Sequence, residues 1–206
     1  MTDTNINLIP IFKKVLGESW NKLPPVMLKH YANRPYSDDL VIVDGVLDVM
    51  SSGPVKLFAS LFWLMGGVPP YNEKNVPVTV SFESNKNNSE FCFNRIFHFQ
   101  TRKSYRFKSK MIHTSGDELI EVMRFGIGWK MQFLWEDECI KLKHKGYVFK
   151  LFGYYIPLPL TLLFGEGNAQ EKAIDENSFS MSVDIKHPWW GNIYQYKGKF
   201  KVRENQ

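Results

Sequence analysis

Phe91-Cys92-Phe93-Asn94-Arg95-Ile96-Phe97-His98-Phe99 repeats with a period of two: Phe91, Phe93, Arg95, Phe97 and Phe99 share one face, and Cys92, Asn94, Ile96 and His98 the other. A strand with one greasy face belongs to a sheet with one buried side. The same period runs through the neighbouring sequence. Val76, Val78, Val80 and Phe82 alternate with Thr79, Ser81 and Glu83, and Asn85-Lys86-Asn87-Asn88 supplies a turn. Further on, Ile127, Trp129, Met131, Phe133 and Trp135 make a second aromatic face closed by Glu136-Asp137-Glu138. Residues 140–151 follow, and Phe179, Met181, Val183 and Ile185 alternate again before a last strand at 193–202. Turn signals recur at roughly ten-residue spacing, which predicts eight to ten strands in meander order. A sheet that long curls. The predicted fold is mainly β (α+β): a curved or barrel-like antiparallel sheet over residues 76–202.

Before residue 76 the period is helical. Residues 8–33 read as a helical lead-in: Ile11, Phe12, Val15, Leu16 and Trp20 recur at helical spacing, and Leu23-Pro24-Pro25 separates a second short helix. Residues 40–50, rich in valine, read as a strand pair or a bent strand around Asp44-Gly45. Residues 53–67 read as a short apolar helix, with Pro54 at its start, Gly66-Gly67 at its end and Lys56 its one charge. A helix apolar nearly all round needs cover on most sides, so the sheet is expected to wrap around it.

The 206 residues suit one large domain over 1–206, and 44% apolar and 15% aromatic content is ample for a core. A net charge of +5 permits contact with anionic lipid or nucleic acid without demanding either. Cys92 and Cys139 alone imply no disulfide framework and are expected as free thiols. The N-terminal residues lack the pattern of a secretory signal, and the apolar runs 57–68 and 151–165 fall short of the roughly 17–25 residues of a spanning helix. The expectation is a soluble cytoplasmic protein.

Over about residues 20–202 the chain resembles a bacterial family of unknown function, found alone and C-terminal to saccharopine-dehydrogenase-like reductases. The resemblance rests on Leu23-Pro24-Pro25-Val26 with His30-Tyr31, Val76-Pro77-Val78, Arg95-Ile96-Phe97, Phe107-Lys108-Ser109, Phe125-Gly126 and Leu158-Pro159. It ends on His187-Pro188-Trp189-Trp190-Gly191 and Tyr196-Lys197-Gly198. Phe91-Cys92-Phe93 departs from it, since the family pattern has a tryptophan before the arginine. The resemblance implies no catalytic residues, and without a dehydrogenase segment it brings no nucleotide chemistry.

Arg95 is the sharpest single observation, because a guanidinium among phenylalanines needs a paired partner or a ligand anion. Glu121 and Glu171, each on an apolar-looking face, are candidates for an internal ion pair; an acidic headgroup is the other reading. Trp63, Tyr105, Trp129, Trp135 and Trp190 could line a pocket, although aromatic stripes of period two are more often plain core. The candidate ligand-binding set is Arg95, Trp63, Tyr105, Arg124, Trp129 and Glu171. Arg102, Lys103, Arg106, Lys108 and Lys110, with Lys141, Lys143 and Lys145, fall mainly on outward faces; a solvated surface that blunts edge pairing is the default reading, and docking to an anionic membrane the functional one. Bases and aromatics are not interleaved on one face, which argues against nucleic acid. No metal spacing, nucleophile elbow or phosphate loop is present, so no cofactor is expected. The leading expectation is a non-catalytic binding module for an apolar or amphipathic, lipid-like molecule. A membrane-surface or protein-interaction domain is the alternative, and an enzyme on a barrel scaffold a third.

Overall fold

The computed structural model describes residues 9–53, 55, 64 and 66–203. The period-two segments become β1 (Leu40–Ser51), β2 (Glu73–Ser84), β3 (Phe91–Phe97), β4 (Tyr105–Ser115), β5 (Glu118–Val122) and β6 (Ile127–Glu136). They continue as β7 (Cys139–Leu151), β8 (Tyr154–Leu158), β9 (Glu166–Ala173), β10 (Ser178–His187) and β11 (Gly191–Val202). Pairing is antiparallel and runs β6-β5-β4-β3-β2-β1-β11-β10-β9-β7, and β6 pairs with β7 to close the ring. Ten strands thus form a closed barrel, which leaves none of the ten with a free edge along the ring. β8 stands outside the ring as a hairpin on the C-terminal half of β7, from Tyr147↔Leu158 to Leu151↔Tyr154.

Residues 40–50 form one continuous strand. Gly45 keeps it regular, because a Cβ there would lie 2.4 Å from the Phe200 ring and 2.5 Å from the Lys199 carbonyl. The inner face is the predicted one: Phe91, Phe93, Arg95 and Phe97 alternate as buried residues with half-buried Cys92, Asn94 and Ile96. Burial on β2 alternates in the same way at Val76, Val78, Val80 and Phe82.

The lead-in segment contributes to the interior. It folds as α1 (Ile11–Leu16), a 3-10 turn (Gly17–Lys22) and α2 (Pro25–His30). Pro25 suits the first turn of α2, where an N–H has no helical partner anyway. Phe12 meets Phe91 of β3 at 5.5 Å, Phe133 of β6 at 5.4 Å and Tyr31 at 4.3 Å between ring centroids. Val26 and Met27 are fully buried. Burial of side chains like these contributes about 1.5–3 kcal/mol each. Asn33 anchors the segment: its side-chain amide donates to the carbonyls of Asp39 and Phe82 and to Ser84 Oγ, each at 3.1 Å. The helix expected at 53–67 falls mostly outside the described residues, and Trp63 with it. At its ends Val55 is buried, Leu64 is exposed, and the Gly67 carbonyl accepts a 2.8 Å bond from Tyr105 Oη.

Residues 156–165 hold the end of β8 and a short helix, α3 (Thr161–Phe164). Pro157 pairs opposite Val148, a position tolerated because β8 is an edge strand. β5 carries apolar residues on both faces for a local reason. Ile120 and Val122 point outward, where Val148, Ile112 and Tyr155 cover them in a small second cluster. Cys139 is buried, Cys92 is half-buried, and both are free. Among the described residues no helix is long and apolar enough to cross a membrane.

Candidate ligand-binding site

The strand register puts polar groups inside the barrel. Arg95 on β3 opposes Phe107 of β4, Ser109 of β4 opposes Phe93, and Glu121 on β5 opposes Met111 of β4. Three adjacent strands therefore bring together a guanidinium, a hydroxyl and a carboxylate. Arg95 Nη2 donates to Glu121 Oε1 at 2.7 Å, Arg95 Nη1 to Ser109 Oγ at 3.3 Å, and Ser109 Oγ to the same Glu121 oxygen at 2.6 Å. The guanidinium is stacked on the Phe93 and Phe107 rings, 3.3 Å and 4.2 Å from their centroids. Arg95 and Glu121 are only 5% and 3% exposed, so each charge depends on the other. Of the two partners expected from sequence, Glu121 is the one Arg95 uses.

Glu171, on β9, has different company. Tyr31 Oη donates to its Oε2 at 2.6 Å, and His30 Nε2 lies 3.4 Å from the same oxygen. All three side chains are buried. The Tyr31 hydroxyl is pushed well up from its ordinary acidity, first by burial and then by the Glu171 charge. His30 sits between the Phe82 and Phe179 rings, at 4.7 Å and 4.6 Å.

A cavity of about 100 Å³ separates these groups. Its lining includes Phe12 and Tyr31 from the lead-in segment, Phe82, Phe93 and Phe133 from the wall, and Tyr147 and Phe164 near β8 and α3. Arg95, Glu121, Glu171 and His30 are the charged or titratable side chains besides tyrosines among the described lining residues. Two buried nitrogens on them, Arg95 Nε and His30 Nδ1, have no hydrogen-bond partner among the described residues.

Arg95, Glu171 and Trp129 of the sequence-derived set thus line one cavity. Trp129 is held by its indole N–H, which donates to His144 Nδ1 at 2.8 Å, and burial lowers the basicity of His144. Tyr105 is buried against the Gly67 carbonyl and is not among the described lining residues, and burial raises its hydroxyl to about 12. Arg124 is exposed, its stem against Gly66. Sequence alone gave no role to Ser109 or Tyr31. Ser109 alternates with Phe107 and Met111 on an apolar face, which was the available signal. Tyr31 lies in a helical segment whose place inside a barrel no local pattern encodes. Of the basic positions, Arg106, Lys108 and Lys110 are exposed on β4, Lys110 reaching Glu90 at 3.4 Å, and Lys141 and Lys143 pair with Asp137 and Glu136 beside them. Among the described residues no three His, Cys, Asp or Glu side chains converge as a metal site would require.

No curated protein shows significant sequence similarity to the chain. Among solved structures, the dehydratase domain of the polyketide PpsC from Mycobacterium tuberculosis is 6% identical, over 92% of this chain and 84% of that one, at a TM-score of 0.20. The same domain in complex with C12:1-CoA gives 6%, 91%, 84% and 0.20. The dehydratase domain from the CurF module of curacin polyketide synthase gives 11%, 96%, 88% and 0.21. Likeness at these scores specifies neither fold nor chemistry. A family model for a domain of unknown function (DUF4166) matches residues 23–200, and the chain belongs to that family.

Proposed function

We propose that the barrel is a binding module for a compact amphipathic small molecule held in its interior. The observation that carries this reading is a pair of nitrogens without a partner among the described residues, Arg95 Nε and His30 Nδ1, on buried side chains that line one aromatic-walled cavity. A buried polar atom without a partner costs about 1–3 kcal/mol, so a ligand group that meets one of them is stabilised. Small-molecule sites combine an apolar wall with a few placed polar groups in this way. The volume of about 100 Å³ sets the size. A cavity of about 150 Å³ takes a benzene, so a body of a few carbon atoms fits here and an extended acyl chain does not. Arg95 is already neutralised by Glu121, which directs the polar end of the ligand toward the His30 side.

Saturable binding of isobutanol, followed by isothermal titration, tests the reading against a filled barrel. Ala169 lines the cavity, and Ala169→Leu inserts three carbon atoms into it. The unsubstituted chain is expected to bind one molecule and the variant none, with both folded by circular dichroism. Equal binding by both puts the site elsewhere, and no binding by either means that the interior is plain core.

A further inference from the structure

The charges already in place inside the barrel restrict what it accepts, an inference that rests on the binding reading above. Among the described lining residues Arg95 is the one permanent cation, and Glu121 and Ser109 hold its two terminal nitrogens. Among the described residues Glu171 is a second carboxylate with no permanent cation of its own, and its contacts there are the Tyr31 hydroxyl and the His30 ring, both at Oε2. A ring that turns an Nε2 proton toward this carboxylate presents Nδ1 as a bare acceptor. That atom has no donor among the described residues, and the side chain is 2% exposed. A carboxylate short of a cation and a bare acceptor together ask for N–H groups.

We propose that the cavity selects a small primary amine, its nitrogen placed between Glu171 and His30. An ammonium supplies three donors, and aromatic walls such as Phe12, Phe82 and Trp129 present π faces that attract a cation. An acid fares badly in either state of His30. With the ring neutral, two carboxylates face one guanidinium; with the ring protonated, Glu171 matches it and no charge is left over. An acid could reach Arg95 Nε only by sharing the guanidinium with Glu121 inside the same small cavity. Uncompensated like charge in a low-dielectric interior is costly.

The test uses three probes on one carbon skeleton, isobutylamine, isobutanol and isobutyrate, titrated calorimetrically into the full chain at mildly alkaline pH. Isobutylamine is expected to bind at least about tenfold more tightly than isobutanol, the gain of one charge-assisted hydrogen bond, and isobutyrate not at all. Glu171→Gln keeps a carbonyl acceptor for Tyr31 and is expected to abolish the preference, so that isobutylamine binds the variant no more tightly than isobutanol does. Isobutyrate binding as well as the amine, or an amine preference that survives Glu171→Gln, overturns the assignment of ligand class and leaves the binding site standing. Failure of all three probes overturns both. The ranking in the unsubstituted chain decides the matter even if the variant does not fold.

Discussion

Arg95→Met tests the internal ion pair in a way that separates its two parts. The substitution removes a guanidinium bonded to Glu121 at 2.7 Å and to Ser109 at 3.3 Å, and leaves a carboxylate that is 3% exposed with one hydroxyl donor. Removing one partner of a buried pair costs about 3–5 kcal/mol, most of it the stranded charge. At about 2–4 °C per kcal/mol for a chain of this size, the melting temperature falls by roughly 6–20 °C. The pair itself is worth far less. Arg95→Met combined with Glu121→Leu removes both charges and leaves Ser109 Oγ its contact with the Phe93 carbonyl at 3.5 Å. The double variant is therefore expected within about 1–2 kcal/mol of the parent. Urea denaturation of the parent, both single variants and the double closes the cycle. A cheap Arg95→Met, or a double variant as damaged as the sum of the singles, refutes the argument.

Three further outcomes follow from the same geometry. Tyr31, Tyr105, Tyr147, Tyr194 and Tyr196 all hold their phenolic protons more tightly in the fold, chiefly through burial. Above about pH 10 the unfolded chain releases protons that the fold retains, so stability is intact below that value and falls above it. At pH 11 each contributes a loss of about 1.4 kcal/mol and five about 7, comparable with the whole stability of a domain. The phenolate absorbance of these five is expected to appear in one cooperative step with unfolding; their gradual titration in a folded chain would contradict this. Gly198→Ala places a Cβ against the Val46 carbonyl across the β11–β1 pair, a backbone group that cannot swing aside as a side chain would. It is expected to cost more than about 3 kcal/mol by urea denaturation, whereas Gly116→Asn, in open space at a positive φ that asparagine tolerates, stays near the parent. Cys139 is expected to resist thiol reagents in the native chain and to react on unfolding, since it is buried while Cys92 is half-buried.

The barrel was legible because its strands alternate strictly: the face Phe91, Phe93, Arg95, Phe97 emerges buried as read. Closure was not legible. It depends on β11 meeting β1 and on β9 meeting β7 past the intervening β8, and strand pairing at those separations leaves no local pattern. Half of the site was visible for a physical reason, since Arg95 and Glu171 interrupt apolar faces and a charge there must be answered. The reading of Arg95 as an anchor for an acidic headgroup depended on its lacking a partner, and Glu121 supplies one two strands away. His30 and Tyr31 could not be placed, because helical periodicity reveals a buried face without saying what buries it. Their contacts with Glu171 span about 140 residues of sequence.

The central claim, that the barrel interior binds a small primary amine, is tested most directly by a crystal structure grown in saturating isobutylamine. The account predicts one molecule inside the ring, its nitrogen within hydrogen-bond distance of Glu171 and His30 Nδ1. An interior without added density, or isobutylamine held only on the outer surface, contradicts it.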